Sequence, residues 1–273
     1  MDAFVETAST ATLAIMPVAV VFTLLALAVK RGRIREAWAR ARAESGTNMA
    51  LYLVNYVILL PLFLIPVAAI EQAIPSHPAF SAFWETVGLP LSIFAAIVLI
   101  DLAAYWRHRL EHDPALWRIH ATHHADEAMT WFSVNRKHPL ARLLSMLADN
   151  LVVLALGFPI EAIVLANVIR SWWGFFIHAD VPWTLGPLGA VLISPAAHRL
   201  HHIRDEALMG ANYGNTLTLW DRVFGTYVDA KPYLNCETGI AEGTRSVWGE
   251  LMRPWEARYR RQARSAPSGE LAS

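Results

Sequence analysis

The chain has 273 residues, enough for one large domain or two small ones, and 55% of them are hydrophobic, more than an ordinary soluble protein carries. Its 23 basic and 23 acidic residues cancel, so it has no basic field of the kind nucleic acid requires, and nucleic acid is excluded as a partner. The single cysteine, Cys236, excludes an internal disulfide, a cysteine-ligated iron–sulfur cluster and a cysteine-rich zinc site, so any metal must be held by other side chains.

Residues 10–29 form an apolar run long enough to cross a hydrocarbon core of about 30 Å as a helix. Lys30, Arg31, Arg33 and Arg35 follow the run instead of preceding it, and no small-residue cleavage site comes next, so it reads as a retained span and not as a cleaved signal. Residues 49–70 and 87–106 are two further spans, with Pro61 and Pro66 expected to kink the first of these. The connecting loop at 30–48 carries six Lys or Arg residues and the loop at 71–86 none, which places the first loop in the cytoplasm. The polar, histidine-rich stretch 107–138 then emerges on the cytoplasmic side. Residues 143–177, interrupted at Gly157-Phe158-Pro159, read as a helical hairpin, either re-entrant or made of two further spans, that returns His178 to the same face. Beyond it, 182–195 is a Gly- and Pro-rich loop, 196–204 is helical, and the aromatic, turn-rich 212–227 is expected to pack under the histidines. From 245 onward Trp248, Trp255 and several arginines suit an amphipathic segment at the membrane interface, and the last ten residues are expected to be disordered.

Eleven histidines are present and most are bunched: HRLEH at 108–112, HATHH at 120–124 and HRLHH at 198–202. Spacings of three and four place imidazoles on neighbouring positions of a helix, so each motif is expected to present its histidines together on one face. Asp113-Pro114 is an N-cap followed by proline at the first helical position, a turn that brings the second motif back beside the first. Eight clustered histidines with His178 as a ninth are too many for one ion and suit two. Imidazole accepts zinc, copper, iron and nickel alike, so the ligand type leaves the metal open. No HExxH supplies the glutamate base of a zinc hydrolase of that kind, and the histidines lie outside the spans, away from where haem would sit. Metal-bound histidines lean on carboxylates, and Asp101, seven residues before His108 and inside an apolar span, is the first candidate for that role. Glu111, Asp113 and Asp221 are weaker ones. His138 is a further ligand or a substrate-side residue, and His77 lies on the far side of the membrane.

Asp101 with YWRHRLEH, then LWRIHATHH, RKHP at 136–139, FIHAD around His178, SPAAHRLHH and NYGNTLTLWDRVFGTY make residues 99–228 resemble the fatty acid hydroxylase/sterol desaturase superfamily of membrane di-iron enzymes. The stretch from FIHAD through LGPLG to SPAAHRLHH also resembles bacterial sterol desaturase-like proteins and, more distantly, alkylglycerol monooxygenases. The resemblance implies an all-α integral membrane protein with about four transmembrane helices, the third or fourth as a hairpin, and a cytosolic helical cap carrying the histidines. It divides the chain into N-terminal membrane helices (1–98), a catalytic region (99–228) and an interfacial tail (229–273). By similarity, two iron ions fall to His108, His112, His120, His123, His124, His178, His198, His201 and His202, with zinc able to replace iron in purified material. The implied reaction is hydroxylation or desaturation of a C–H position of a sterol, fatty acyl or alkyl lipid with dioxygen. Lacking a cytochrome domain and a GxGxxG motif, the chain is expected to take electrons from a separate cytochrome, ferredoxin or reductase, in a bacterial inner membrane. Two rival readings are a non-catalytic metal transporter and a di-zinc lipid hydrolase. Against the first, transporters place their ligands within the spans, whereas here the spans carry only Asp101, Asp149, Glu161 and Arg170 as charges.

Overall fold

The structure, a computed structural model, describes residues 2–259; the expected disordered end falls outside them. Among the described residues the chain is helical and has no strand, only two isolated backbone bridges, Leu192 to Leu217 and Ile203 to Thr238.

Helix α1 (Asp2–Lys30) ends at a break over Arg31–Arg33, where Arg31 takes a positive φ of 28°, and α2 (Ile34–Tyr52) follows. A π-helical turn, Leu53–Leu59, leads into α3 (Leu60–Gln72). Pro61 explains the wide turn: it has no N–H to donate and its ring excludes the carbonyl four residues back, while the Leu60 N–H reaches the Asn55 carbonyl five residues back. α1 folds back against the π turn and α3. The basic stretch expected as a connecting loop at 30–48 is thus largely helix α2. Glu44 and Asn48, one turn apart on it, are buried where they meet Arg136 and Asp126, and that docking holds the segment in helical form.

Next come α4 (Pro78–Val87), capped by the exposed His77, then α5 (Leu89–Glu111) and α6 (Pro114–His124). Asp113 Oδ1 accepts the Ala115 N–H at 2.9 Å, the turn expected from Asp-Pro. The hairpin breaks where the sequence indicates, at Gly157, whose φ is +64° and whose added Cβ would meet Ser81 Oγ at 2.7 Å. Its first arm is divided into α7 (Pro139–Ala148) and α8 (Leu151–Ala155), and the second is the single helix α9 (Ile160–Ile177). Among the described residues, three helical stretches are long and apolar enough to cross a membrane: Leu13–Leu64, which includes the break at Arg31, Leu89–Glu111 and Ile160–Ile177. The first arm of the hairpin is not among them. α10 (Pro195–His201), α11 (Leu219–Val223) and α12 (Val247–Met252) complete the chain.

α5 and α9 pack through Ala96 and Ile100 against Ile163 and Ala166, small residues letting the backbones approach. Phe22 and Val18 of α1 close on Phe175 of α9. Leu13, Leu24, Leu91, Phe94 and Val164 face outward and exposed, as lipid-facing residues do. These are the features of a membrane protein.

Candidate metal centre

The histidines come together in two groups. His108, His112, His120, His124 and His201 form one; His123, His178, His198 and His202 form the other, and in each group the candidate ligand atoms lie within 4.8 Å of one another. Each HxxHH motif is divided between them, contrary to the expectation of one face per motif. At about 100° per residue, positions i and i+4 diverge by only about 40°, while i+3 falls about 60° to the other side. His120 and His124 therefore stay together and His123 turns to the second group; His198 and His202 stay together and His201 turns to the first. The two motifs are reciprocal, and the groups touch where the rings of His124 and His202 stack at 4.3 Å.

Backbone carbonyls fix the ring orientations. His108 Nδ1 donates to the Tyr213 carbonyl at 2.8 Å, His201 Nδ1 to Ala211 at 2.8 Å, His123 Nδ1 to Arg136 at 3.1 Å and His178 Nδ1 to Gly174 at 2.7 Å. A neutral imidazole with its proton on Nδ1 presents a bare lone pair at Nε2. Yet the Nε2 atoms of His108 and His201 lie 3.0 Å apart, and those of His123 and His178 3.4 Å apart. Two lone pairs do not face each other so closely without a cation between them. Nitrogens bound to one ion at about 2.1 Å stand roughly 3.0–3.4 Å apart, which is the spacing seen. Burial also pushes His178 and His201 down to about 3, and His112, His123, His124, His198 and His202 well below the ordinary range, so these rings are neutral and ready to ligate at pH 7. His112 Nε2 and both nitrogens of His202 are buried with no hydrogen-bond partner, an arrangement costing about 1–3 kcal/mol per atom unless a metal occupies it. The donor set therefore fits two metal ions.

Of the carboxylates, Glu111 touches a histidine directly, with Oε2 3.2 Å from His120 Nδ1. Arg107 holds Glu111 at 2.7 Å and is itself held by Asp149 at 2.5 and 3.0 Å. Asp101 bonds no histidine: it accepts the N–H groups of Thr216 and Leu217 at 3.0 and 2.9 Å and faces Arg170 at 3.4 Å. Asp221 accepts the N–H groups of Tyr213 and Gly214. Together these carboxylates pin the 213–217 turn, and with it the carbonyl that orients His108. Gly214 is required there, because a Cβ would meet the Leu217 carbonyl oxygen at 2.5 Å. Tyr213 packs edge-on against His112, as expected of the aromatic segment. His138 stands apart: its Nδ1 accepts the Leu140 N–H and its Nε2 donates to the Leu251 carbonyl, capping α7 outside both groups.

Sequence reading missed Arg136. Fully buried, it directs all five of its N–H groups to partners: Nε to the Thr122 carbonyl, Nη1 to Glu44 and Asn48, Nη2 to Glu250 and Thr244. Its side chain joins α2, α6 and the C-terminal segment, while its carbonyl orients His123. The arginine that opens RKHP, two residues before His138, is the available signal.

A cavity of about 620 Å³ opens from His108, His120, His123, His178 and His198 and runs along α9 to Leu154, Ile160 and Val164. His178 and Ile160 lie at opposite ends of α9, so the cavity extends over the length of an 18-residue helix, about 27 Å.

In an all-helical membrane protein, two adjoining histidine groups at the end of such a cavity form a candidate metal centre. Residues 93–226 match the model of the fatty acid hydroxylase family. The chain is 26% identical over 200 residues to the ornithine lipid hydroxylase OlsE of Rhizobium tropici, covering 72% of this chain and 60% of that protein. It is 31% identical over 154 residues to the alkylglycerol monooxygenase of Homo sapiens, 56% of this chain and 33% of that one. With the Delta(7)-sterol 5(6)-desaturase ERG3 of Candida albicans the identity is 28% over 163 residues, 59% of this chain and 40% of that protein. The matched region thus spans between a third and three-fifths of these relatives. No solved structure matches the chain.

Proposed function

We propose that the chain is a membrane-bound, dioxygen-dependent di-iron oxidoreductase that hydroxylates or desaturates a C–H position of a lipid. The observation that carries this is the convergence of bare imidazole nitrogens at two adjoining points on the wall of a cavity that runs along a membrane helix. The nine histidines of the two groups are the ligands, five at one ion and four at the other. When bound, iron supplies the reduction of dioxygen and the oxidising power for C–H cleavage. The chain's own residues do the rest. Backbone carbonyls and Glu111 hold the imidazoles in one tautomer, Asp101 keeps the turn behind His108 in place, and Ile163, Val164 and Val168 offer an apolar path for a hydrocarbon chain. His138 keeps α7 in place as its cap.

The relatives named for ornithine lipids, alkylglycerols and sterols agree in oxidising lipids, which favours this reading over a transporter or a hydrolase. The basic residues from Lys30 into α2 support a topology with the histidines on the cytoplasmic side of an inner membrane, as a helical cap on a base of about four spans, open to a soluble electron donor. Exposed Trp248 and Trp255 suit a C-terminal segment resting on that interface. The test is a lipid panel incubated with the purified protein, a reductase system and ¹⁸O₂. Label in an alcohol, or an oxygen-dependent double bond, is expected; equal product under strict anaerobiosis overturns the reading.

A further inference from the structure

The cavity wall contains donors that neither the metal groups nor its carboxylates engage. Of its four Lys and Arg residues, Arg107 is paired with Asp149 and Glu111, and Arg170 with Asp101. Lys137 and Arg142 have no carboxylate partner among the described residues. The Lys137 ammonium makes no hydrogen bond or ion pair there, and Arg142 Nε is buried without an acceptor, its guanidinium resting on the ring of Tyr56 at 4.8 Å. A third donor adjoins them: Asn135 is only 2% exposed, lines the same cavity, and its Nδ2 has no partner.

Local backbone explains how these donors come together. The Lys137 N–H bonds the Asn135 carbonyl at 2.9 Å around Arg136 at φ −74° and ψ 81°, an inverse γ-turn. The Arg136 side chain goes into the buried network described above, while the residues on either side of it line the cavity. Asn55, on the π turn, anchors the far end of this turn by donating to the Lys137 carbonyl at 2.8 Å, and the next residue is Tyr56, under Arg142. The π turn and the γ-turn thus jointly shape one wall. The Arg136 carbonyl orients His123, so Asn135 and Lys137 flank the residue that touches the four-histidine group, and Arg142 lines the same cavity.

Three unpartnered donors make a site for an oxygen-rich anion, since a buried cation or amide N–H without an acceptor is costly, and the remaining lining carboxylate, Glu71 at the end of α3, bonds none of them. We propose that Asn135, Lys137 and Arg142 bind an anionic group, phosphate or carboxylate, on the headgroup of the lipid, so that the acidic end lies beside the metal centre and the tail follows α9. A neutral sterol offers these donors a single hydroxyl oxygen and no charge. The assignment of this cavity to the substrate rests on the lipid-oxidising reading, but anion binding does not require turnover.

The test is binding of lysophosphatidic acid, a long-chain fatty acid, a monoacylglycerol and cholesterol to the intact protein in neutral detergent, read by native mass spectrometry, with inorganic phosphate as competitor. The two acidic lipids are expected to bind at least about tenfold more tightly than the neutral ones. K137Q and R142Q are each expected to remove most of that preference while leaving monoacylglycerol binding unchanged, and K137R to retain it. Inorganic phosphate at millimolar concentration is expected to compete weakly. Equal affinity for acidic and neutral lipids, an equal loss for all lipids in K137Q and R142Q, or inorganic phosphate binding as tightly as lysophosphatidic acid overturns the proposal. If acidic lipids are preferred but the protein oxidises none of them, the oxidase reading fails and the anion site stands.

Discussion

Glu111 is the carboxylate whose removal is expected to tell most at the scale of a single residue. Its Oε2 sits at His120 Nδ1 and is steadied by Arg107. Replacing Glu111 by Gln keeps the shape but removes the charge that makes the ring a better donor, so metal affinity is expected to fall about 10–100-fold with the helices intact. Competition with a chelator of known affinity reads this, and unchanged affinity contradicts it. The buried histidines also predict a pH response of the metal-free protein. His178 and His201 are held down to about 3 by burial, against about 6.5 for a free imidazole. Between those values the unfolded chain binds more protons than the folded one, so stability is fully present above about pH 6.5 and is lost as pH falls toward 3. The unfolding midpoint of chelator-stripped protein in detergent is expected to drop between pH 7.5 and pH 5; a flat profile contradicts the burial of neutral rings.

Among the elements, the part legible in sequence was whatever depends on local pattern. The Asp113-Pro114 turn, the break at Gly157 and the helices carrying the three motifs follow from caps, glycine and spacing alone. The division of each HxxHH between two groups did not, because it depends on which neighbouring helix approaches each side of the i, i+3, i+4 triplet. α2 was likewise hidden: its composition reads as a charged linker, and what makes it a structural element is Arg136, 92 residues away from Glu44. Arg136→Met leaves Glu44 buried without its ion partner, while Glu250 keeps Arg253, and a loss of about 3–5 kcal/mol is expected. Denaturation midpoints should show it together with reduced metal content, since the same residue's carbonyl orients His123. A stable variant with full metal content would mean that the network is ornamental.

At the scale of the whole molecule, the proposed topology puts the histidines at the cytoplasmic end of the spans. Ser45 and Ser76 are both exposed, one on the α2 side and one in the turn before α4. With Cys236 replaced by serine, S76C is expected to react with an impermeant thiol reagent in spheroplasts, and S45C only after permeabilisation; the reverse order would invert the topology. The central claim is the pair of metal ions, and metal content tests it most directly. Protein purified without chelator from iron-replete cells is expected to hold about two irons per chain. His201→Ala, in the five-histidine group, and His202→Ala, in the four-histidine group, should each weaken one site, and the double variant should lose most of the metal. Little metal in every sample, or a content that neither substitution changes, would contradict the account.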